Sequence, residues 1–192
     1  MTTLTYNDYL SAVDKDPAYY NGRWPLYEAA AKLAGEIKPE SCLELGAGRL
    51  TIINGADVMD SSEKTKWGAP DNFRGKTIIH NAEISPWPIS DKQYDLFIAL
   101  QVFEHLHENQ RKAFEEAKRI SKNIIVSLPY KWDIPKNKLM YPSHHMIDEK
   151  TVAKWTEGIF PSCESKVIIV PSSGEKISLG EKIIFMWKNI SY

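Results

Sequence analysis

The stretch that decides the fold is Ser41-Cys42-Leu43-Glu44-Leu45-Gly46-Ala47-Gly48, residues 41–48, in which a short apolar run ends directly at two glycines. Such a run is typical of a strand buried on both faces of a parallel sheet. Open α/β sheets bind ligands at the carboxyl ends of their strands, where glycines let backbone approach the ligand closely. The stretch therefore predicts an α/β protein with a nucleotide-type ligand site. An ordinary tight turn is the alternative, because the short pattern has many false positives.

Further apolar runs bounded by turn residues continue along the chain and predict the remaining strands. They are Ala56–Met59, Thr77–His80, Tyr94–Leu100, Asn123–Leu128, Lys166–Val170 and Lys182–Trp187. The stretch Glu108–Ser121 carries apolar residues at helical spacing and predicts a crossover helix between two parallel strands. The last two strands are close enough in sequence to form an antiparallel hairpin at the sheet edge. We predict a Rossmann-like three-layer α/β sandwich.

The first 40 residues predict helices, with Pro25 near a helix start and Pro39 beyond its end. A later helix is predicted to begin at Asp148, which is a favourable N-cap residue. At 192 residues, with 43% hydrophobic residues, the chain fits one domain. We expect a single domain, 1–192, in which 1–40 form an N-terminal helical lid or side layer and 41–192 form the α/β core.

The amino-acid composition limits the classes of binding partner that we expect. Lys and Arg total 24 against 25 Asp and Glu, without a basic block, so neither nucleic acid nor an anionic membrane is an expected partner. No apolar run is long enough to cross a bilayer, and the N-terminus has no secretion signal. Cys42 and Cys163 are the only cysteines, and they suit reduced thiols better than a disulfide framework. We expect a cytoplasmic protein.

A second block stands at a set distance past the glycines: Pro86-Trp87-Pro88, Asp91, Tyr94–Ala99 and Val102-Phe103-Glu104-His105-Leu106. Together with the glycine turn, this block resembles class I S-adenosylmethionine-dependent methyltransferases. It is most similar to the small, type 11-like ones, whose fourth strand ends in Glu-His-Leu or Glu-His-Val. The resemblance covers roughly Ser41 to Pro129. It implies S-adenosylmethionine as cofactor, methyl transfer as activity and a seven-stranded, mostly parallel sheet with an antiparallel edge hairpin.

The resemblance also implies cofactor-binding roles for Glu44, Gly46, Ala47, Gly48, Asp60, Asn81, Ala82 and Gln101. The turn would hold the methionine end of the cofactor, and Asp60 would accept hydrogen bonds from both ribose hydroxyls. Asn81 and Ala82 occupy the place of the family's adenine-contacting Asp, and an Asn side-chain carbonyl can still accept that hydrogen bond. Gln101 lies where the family lines the cofactor pocket.

The sequence departs from the family directly after the turn, where Arg49 and Leu50 replace the third glycine. Only ten residues, Gly46–Gly55, separate the first two predicted strands. A parallel crossover normally needs about a dozen or more, so we expect the first crossover helix to be shortened or absent. The cofactor carboxylate then loses a helix N-terminus as its partner. Arg23 and Arg49 are the candidate replacements, with a solvated surface charge as the alternative for each.

Methyl transfer from a sulfonium needs alignment of the acceptor and, for many acceptors, removal of a proton. His105, His144 and His145 are the candidate bases, since histidine titrates near neutral pH. A structural role is the alternative for His105. Neither cysteine keeps metal-ligand spacing with the histidines, so we predict no metal site.

The acceptor is expected to be a small molecule or a glycan, methylated at a hydroxyl. Aromatic and hydroxyl-bearing residues after the fifth predicted strand, such as Tyr130, suit a sugar or a ring, although aromatic residues more often pack a core. Two alternatives stay open. The first is a non-catalytic domain of the same fold, and the second is a nicotinamide-dependent oxidoreductase, which the glycine turn alone would permit.

Overall fold

The computed structural model describes residues 1–61, 72, 75–131, 147–168 and 181–190. In chain order the elements are β1 (Thr2–Thr3), α1 (Tyr6–Lys15), α2 (Pro17–Tyr20), α3 (Trp24–Ile37), β2 (Cys42–Leu45), β3 (Ile53–Asn54), β4 (Asp57–Asp60), β5 (Thr77–Ile79), β6 (Tyr94–Leu100), α4 (Gln110–Ile120), β7 (Ser121–Pro129), α5 (Glu149–Trp155), β8 (Cys163–Ile168) and β9 (Glu181–Trp187).

The central sheet has seven strands in the order β5-β4-β2-β6-β7-β9-β8. All pairs from β5 to β7 are parallel, whereas β9 is antiparallel to both β7 and β8. The predicted mostly parallel sheet with an antiparallel edge hairpin is therefore confirmed. The chain runs outward from β2 through β4 to β5, and then outward on the other side through β6 to β7. The strand order thus reverses between β2 and β6, and in open α/β sheets ligands bind at the carboxyl ends of the strands beside such a reversal.

Both faces of the sheet are buried, which explains why its strands are nearly continuous apolar runs. One face contributes to a core that includes Leu43, Phe97, Val126 and Phe185. The opposite face contributes to a second core that includes Cys42, Ile98, Ile125 and Ile184. Alternating residues of each strand thus serve two separate helical layers, as expected for a three-layer sandwich.

The N-terminal segment forms one of these layers. In α3, a stripe of small and apolar residues faces the sheet, and the helix contacts β7, β8 and β9. The helix begins beside Pro25 and ends where Lys38 adopts a left-handed backbone with φ of 53°. Tyr9, Tyr20 and Tyr27 are buried between this layer and the sheet. The segment is thus a side layer of the core, and its use as a lid stays a prediction.

The other layer consists of α4 and α5. Ala113, Phe114 and Ala117 of α4 are buried against the sheet, as their helical spacing predicts. Asp148 caps α5 as predicted: its Oδ1 accepts a hydrogen bond from the Thr151 N–H at 2.8 Å. This layer covers the face of the sheet opposite the N-terminal helices.

The first crossover has no helix among its residues, all of which are described, and this confirms the expectation from its length. Between β2 and β4 the chain instead forms β3, which pairs antiparallel with β1 at the N-terminus through Thr2–Asn54 and Thr3–Ile53. The sequence did not indicate this pairing, because a two-residue strand carries no periodic signal. A small two-stranded ribbon therefore takes the place of the helix.

None of the helices in the described ranges is long and apolar enough to cross a membrane. Cys42 is buried, Cys163 is half-buried, and both are free thiols.

Candidate functional site

The site begins at the turn after β2. Gly46 and Gly48 have φ of 61° and 63°, in the left-handed region that favours glycine. The Gly46 N–H donates to the carbonyl of Met59 in β4 at 2.9 Å, which ties the turn to the neighbouring strand. A Cβ atom at Gly46 would lie 3.0 Å from Cγ2 of Val102, just past the end of β6. The turn is thus wedged between the ends of β4 and β6, with no room for a side chain.

Glu44 supports the residues that follow this turn. Its carboxylate is 3% exposed and accepts from the Ile52 N–H at 2.9 Å and the Ile53 N–H at 2.8 Å. Burial raises the pKa of Glu44 to about 8, and the two hydrogen bonds offset only part of that rise. Because each carboxylate oxygen already accepts an N–H, Glu44 anchors the short crossover. The predicted contact of Glu44 with the cofactor's methionine end stays a prediction.

Two more side chains hold the crossover from a distance. The side-chain oxygen of Asn72 accepts from the Thr51 N–H at 2.9 Å, and its nitrogen donates to the Thr51 carbonyl at 2.8 Å. The hydroxyl of Tyr20 accepts from the Arg49 N–H at 2.7 Å. A helix would have satisfied these backbone groups internally. Here side chains up to 29 residues away in sequence do so instead.

A pocket opens at the turn, and the sequence did not identify all of its walls. Its lining residues are Tyr19, Tyr20, Tyr27, Glu44, Leu45, Gly46, Ala47, Gly48, Leu50, Ile98 and Leu100. The structure thus brings together the predicted residues of the turn and adds three tyrosines from the N-terminal layer. The sequence feature that could have indicated these tyrosines is the adjacent pair Tyr19-Tyr20, which lies in a segment predicted to cover the sheet.

Arg23, a candidate partner for the cofactor carboxylate, lies beside this pocket. The central carbon of its guanidinium is 4.1 Å from the centre of the Tyr19 ring, which is cation–π geometry. The Nε atoms of Arg23 and Arg49 are buried and have no hydrogen-bond partner in the part of the chain that the structure describes. A buried donor left unsatisfied is unusual in a native protein and is expected to serve a ligand.

The predicted ribose and adenine residues follow along the same sheet edge. Asp60 ends β4, and its Oδ1 accepts from the Ser61 N–H at 2.7 Å. Asn81 is exposed after β5, with its side-chain oxygen accepting from the Glu83 N–H at 3.0 Å. Ala82 is buried, and its carbonyl accepts from the Trp87 indole at 3.2 Å. Asp60 ends β4, and Asn81 and Ala82 follow β5, so all three lie at the same carboxyl-end edge of the sheet as the glycine turn.

Gln101 lies on the other side of the turn, directly after β6. Its backbone is left-handed, with φ of 57°, and its side-chain nitrogen donates to the Ser127 hydroxyl of β7 at 3.2 Å. Gln101 therefore joins the ends of β6 and β7. Its predicted place in the lining of the cofactor pocket stays a prediction.

The candidate bases are not all described. His105 ends a short 3-10 turn, Phe103–His105, and is exposed. Partial desolvation of the ring and the charge of the neighbouring His107 lower the pKa of His105. His144 and His145 lie outside the described residues, so their predicted roles stay predictions. Within the described ranges, no group of three or more His, Cys, Asp and Glu side chains is placed to hold a metal ion.

Sequence reasoning missed a buried group of charges beyond the end of β6. Glu104 and Lys182 are 1% and 2% exposed. Burial raises the pKa of Glu104 to about 8, and the positive charges of Lys182 and Arg23 offset part of that rise. Burial lowers the pKa of Lys182 to about 7; the charge of Glu104 opposes this change and that of Arg23 adds to it. Glu104 directly follows the apolar residues Val102 and Phe103, and this was the sequence feature that could have indicated its burial.

Comparisons with known proteins agree with this geometry. Residues 39–123 match the family model described as a methyltransferase domain. The match spans the glycine turn and the block from Pro86 to Leu106, the two parts on which the resemblance rested. The resemblance to class I S-adenosylmethionine-dependent methyltransferases is confirmed, with S-adenosylmethionine as the cofactor it supports.

Solved methyltransferase structures share the fold at low sequence identity. The methyltransferase domain of bacterial CtHen1 is 18% identical, with a TM-score of 0.57, and the match covers 86% of this chain and 99% of that one. A methyltransferase from Thermotoga maritima is 14% identical, with a TM-score of 0.60 and coverage of 97% and 100%. A Haloferax volcanii methyltransferase, solved with the Trm112 activator, is 10% identical, with a TM-score of 0.62 and 97% coverage of both chains. No curated protein sequence matches the chain.

Proposed function

We propose that this methyltransferase domain transfers the methyl group of S-adenosylmethionine to a hydroxyl of a small-molecule or glycan acceptor in the cytoplasm. The observation that carries the proposal is the wedged turn at Gly46, which lies between the ends of β4 and β6 and opens onto a pocket. Ligands bind at such an edge in open α/β sheets. The sequence from 130 to 148, between β7 and α5, leaves no room for an inserted cap domain of the kind that macromolecular acceptors often need.

The cofactor would lie along the sheet edge from β6 to β5. Asp60 would accept from the ribose hydroxyls, chiefly through Oδ2, since Oδ1 already accepts from the Ser61 N–H. Asn81 and Ala82 would lie at the adenine, and the turn from Gly46 to Gly48 would lie at the methionine end. Arg23 or Arg49 would bind the cofactor carboxylate, because each has an unsatisfied buried Nε.

Isothermal titration calorimetry with S-adenosylmethionine and S-adenosylhomocysteine tests the cofactor part of the proposal. We expect both to bind the wild-type protein, and Asp60→Ala to weaken both by about tenfold, the value of a charge-assisted hydrogen bond. The matched control is Asp14→Ala, which removes an exposed acid of α1. Undetectable binding of both compounds to folded protein would contradict the enzyme proposal, and tighter binding of NAD would favour an oxidoreductase.

A screen of hydroxyl, amine and thiol acceptors with a labelled methyl donor tests the transfer itself. Labelled product from sugars or small phenols is expected. Cofactor binding without product from any acceptor would favour the non-catalytic alternative. His145→Ala, His144→Ala and His105→Ala test the candidate histidines: a histidine that acts as the base should slow turnover when it is replaced, without changing cofactor affinity.

A further inference from the structure

Three charged residues from separate elements meet at the carboxyl end of the sheet. Arg23 precedes α3, and Glu104 follows β6. Lys182 lies in β9, where it pairs with Pro129, the last residue of β7. The charges of Arg23 and Lys182 both act on the Glu104 carboxyl. Charged side chains are rarely buried this completely without a reason, because removing them from water is costly.

Within this group, Nε of Arg23 and Oε2 of Glu104 are both buried without a hydrogen-bond partner among the described residues. Oε2 of Glu104 is an acceptor that receives no hydrogen bond from any residue that the structure describes. Leaving a charged acceptor in this state costs more than a typical hydrogen bond contributes. Stability alone therefore gives no account of a glutamate here, since an apolar residue of the same size would avoid the cost.

The position of Glu104 relates this oxygen to the chemistry of the site. Two residues earlier in the chain, Val102 lies against Gly46 of the turn that would hold the methionine end of the cofactor. The reactive methyl group belongs to that end of the cofactor. An acceptor must approach it from the ends of β6 and β7, which is where Glu104 and Lys182 lie.

We infer that Glu104 is the catalytic residue that accepts the proton of the methyl acceptor, with Lys182 and Arg23 as positioning residues whose positive charges favour its ionised form. This inference rests on the proposed function. The acceptor oxygen attacks the methyl carbon, the carbon–sulfur bond breaks, and its electron pair stays on sulfur. The acceptor O–H proton passes to Oε2 of Glu104. The products are the methylated acceptor, S-adenosylhomocysteine and a neutral Glu104.

Glu104 is a better placed base than His105 in this geometry. His105 is exposed, whereas the Glu104 oxygen is buried on the side where the charges of Arg23 and Lys182 act on it. A carboxylate shielded from water interacts more strongly with a donor than an exposed group does.

The cofactor analogue sinefungin tests the inference without knowledge of the acceptor. In sinefungin, an amine-bearing carbon replaces the methylated sulfur, so its ammonium lies where the methyl is transferred. If Glu104 faces that point, wild-type protein should bind sinefungin about tenfold more tightly than S-adenosylhomocysteine, as expected for a charge-assisted hydrogen bond. Glu104→Gln should abolish this preference and leave S-adenosylhomocysteine affinity within about twofold of wild type.

Glu108→Gln is the matched control, because it makes the same change at an exposed glutamate of the same connection. It should keep the wild-type preference, and so should His105→Ala. If Glu104→Gln does not fold, Glu104→Asp, which withdraws the carboxylate by one methylene, should reduce the preference. The inference is overturned if wild-type protein binds S-adenosylhomocysteine without preferring sinefungin, or if Glu104→Gln keeps the preference. Failure of S-adenosylhomocysteine to bind wild-type protein would instead contradict the proposed function.

Discussion

The two sequence blocks on which the methyltransferase resemblance rests are built in opposite ways. After β2, the crossover Gly46–Ala56 has no helix and is held by side chains from elsewhere in the chain. After β5, the loop from Trp87 to Asp91 is held by side chains of the neighbouring helix α4. The first region depends on Glu44 and the second on Arg119. The difference shows how one fold keeps its ligand edge after losing a helix.

Arg119 organises the second region by gathering main-chain carbonyls. Its guanidinium donates to the Ile89 carbonyl at 2.7 Å and the Trp87 carbonyl at 3.1 Å. It also pairs with Asp91 and Glu116, each at 2.7 Å. Glu116 in turn accepts from the Trp87 N–H at 2.6 Å. One arginine thereby fixes the loop that the Trp-Pro motif begins.

The largest effect is expected at Glu44. Glu44→Ala leaves the buried Ile52 and Ile53 N–H groups without acceptors, and we expect the free energy of unfolding to fall by about 4 kcal/mol. Urea unfolding followed by circular dichroism measures this change. The control Glu40→Ala, at an exposed site, should cost less than about 0.5 kcal/mol. A loss at Glu44 no larger than the control would show that the crossover does not depend on this carboxylate.

A smaller loss is expected at Arg119. Arg119→Ala should lower the free energy of unfolding by about 3 kcal/mol, because it removes several hydrogen bonds and leaves Glu116 unpaired. Arg119→Lys should recover only part of this, since a lysine cannot make the forked contacts. Arg111→Ala is the control on the same helix: its partner Glu157 is exposed, and about 0.5 kcal/mol is expected. Equal losses at the two arginines would contradict the role of Arg119.

These two regions also differ in how far the sequence predicts them. The block near Pro86 was recognisable because the order of its residues is a family pattern. The missing helix was predictable from ten residues of spacing between Gly46 and Gly55. The replacement was not predictable, because Tyr20, Asn72 and the strand at Thr2–Thr3 reach it from distant positions that leave no local periodicity.

The site itself was predicted in the same uneven way. Gly46 and Gly48 carry a backbone requirement that any sequence with this turn must meet, so they were visible. Glu104 and Lys182 carry no such requirement, and their proximity depends on how β6, β7 and β9 align. Their burial could be known only from the packed sheet.

The contributions of the two regions to the free energy of unfolding should change with pH in opposite directions. Burial raises the pKa of Glu44 from 4.5 to about 8, so its contribution is fully present below pH 4.5 and is lost as pH rises towards 8. Burial also opposes ionisation of Glu116, but hydrogen bonds from Arg119 and the Trp87 N–H hold its pKa below 4.5. Its contribution is present above pH 4.5 and is lost as pH falls further.

The free energy of unfolding should therefore fall between pH 5 and pH 8 more steeply in wild-type protein than in Glu44→Gln, by up to about 1.4 kcal/mol per pH unit. Urea unfolding at each pH measures both slopes. Glu116→Gln should leave this window unchanged and should instead weaken the dependence below pH 4.5. Equal slopes for wild type and Glu44→Gln would show that Glu44 is not neutralised on folding.

The smallest effect is expected at Tyr20, where the N-terminal layer meets the turn. Burial raises the pKa of this phenol to about 12, so it stays neutral while its oxygen accepts from the Arg49 N–H. Tyr20→Phe should cost about 1 kcal/mol of stability, the value of one hydrogen bond.

The same variant should also weaken S-adenosylhomocysteine binding. Arg49 directly follows Gly48, so releasing its N–H loosens the turn at the point where the ligand must be held, while the rest of the crossover keeps Glu44 and Asn72. Calorimetry should show a loss of affinity of about fivefold or more. Tyr6→Phe, at an exposed tyrosine of α1, should change neither quantity. If Tyr20→Phe binds as wild type does, the N-terminal layer only covers the pocket, and Glu44 and Asn72 alone set the shape of the turn.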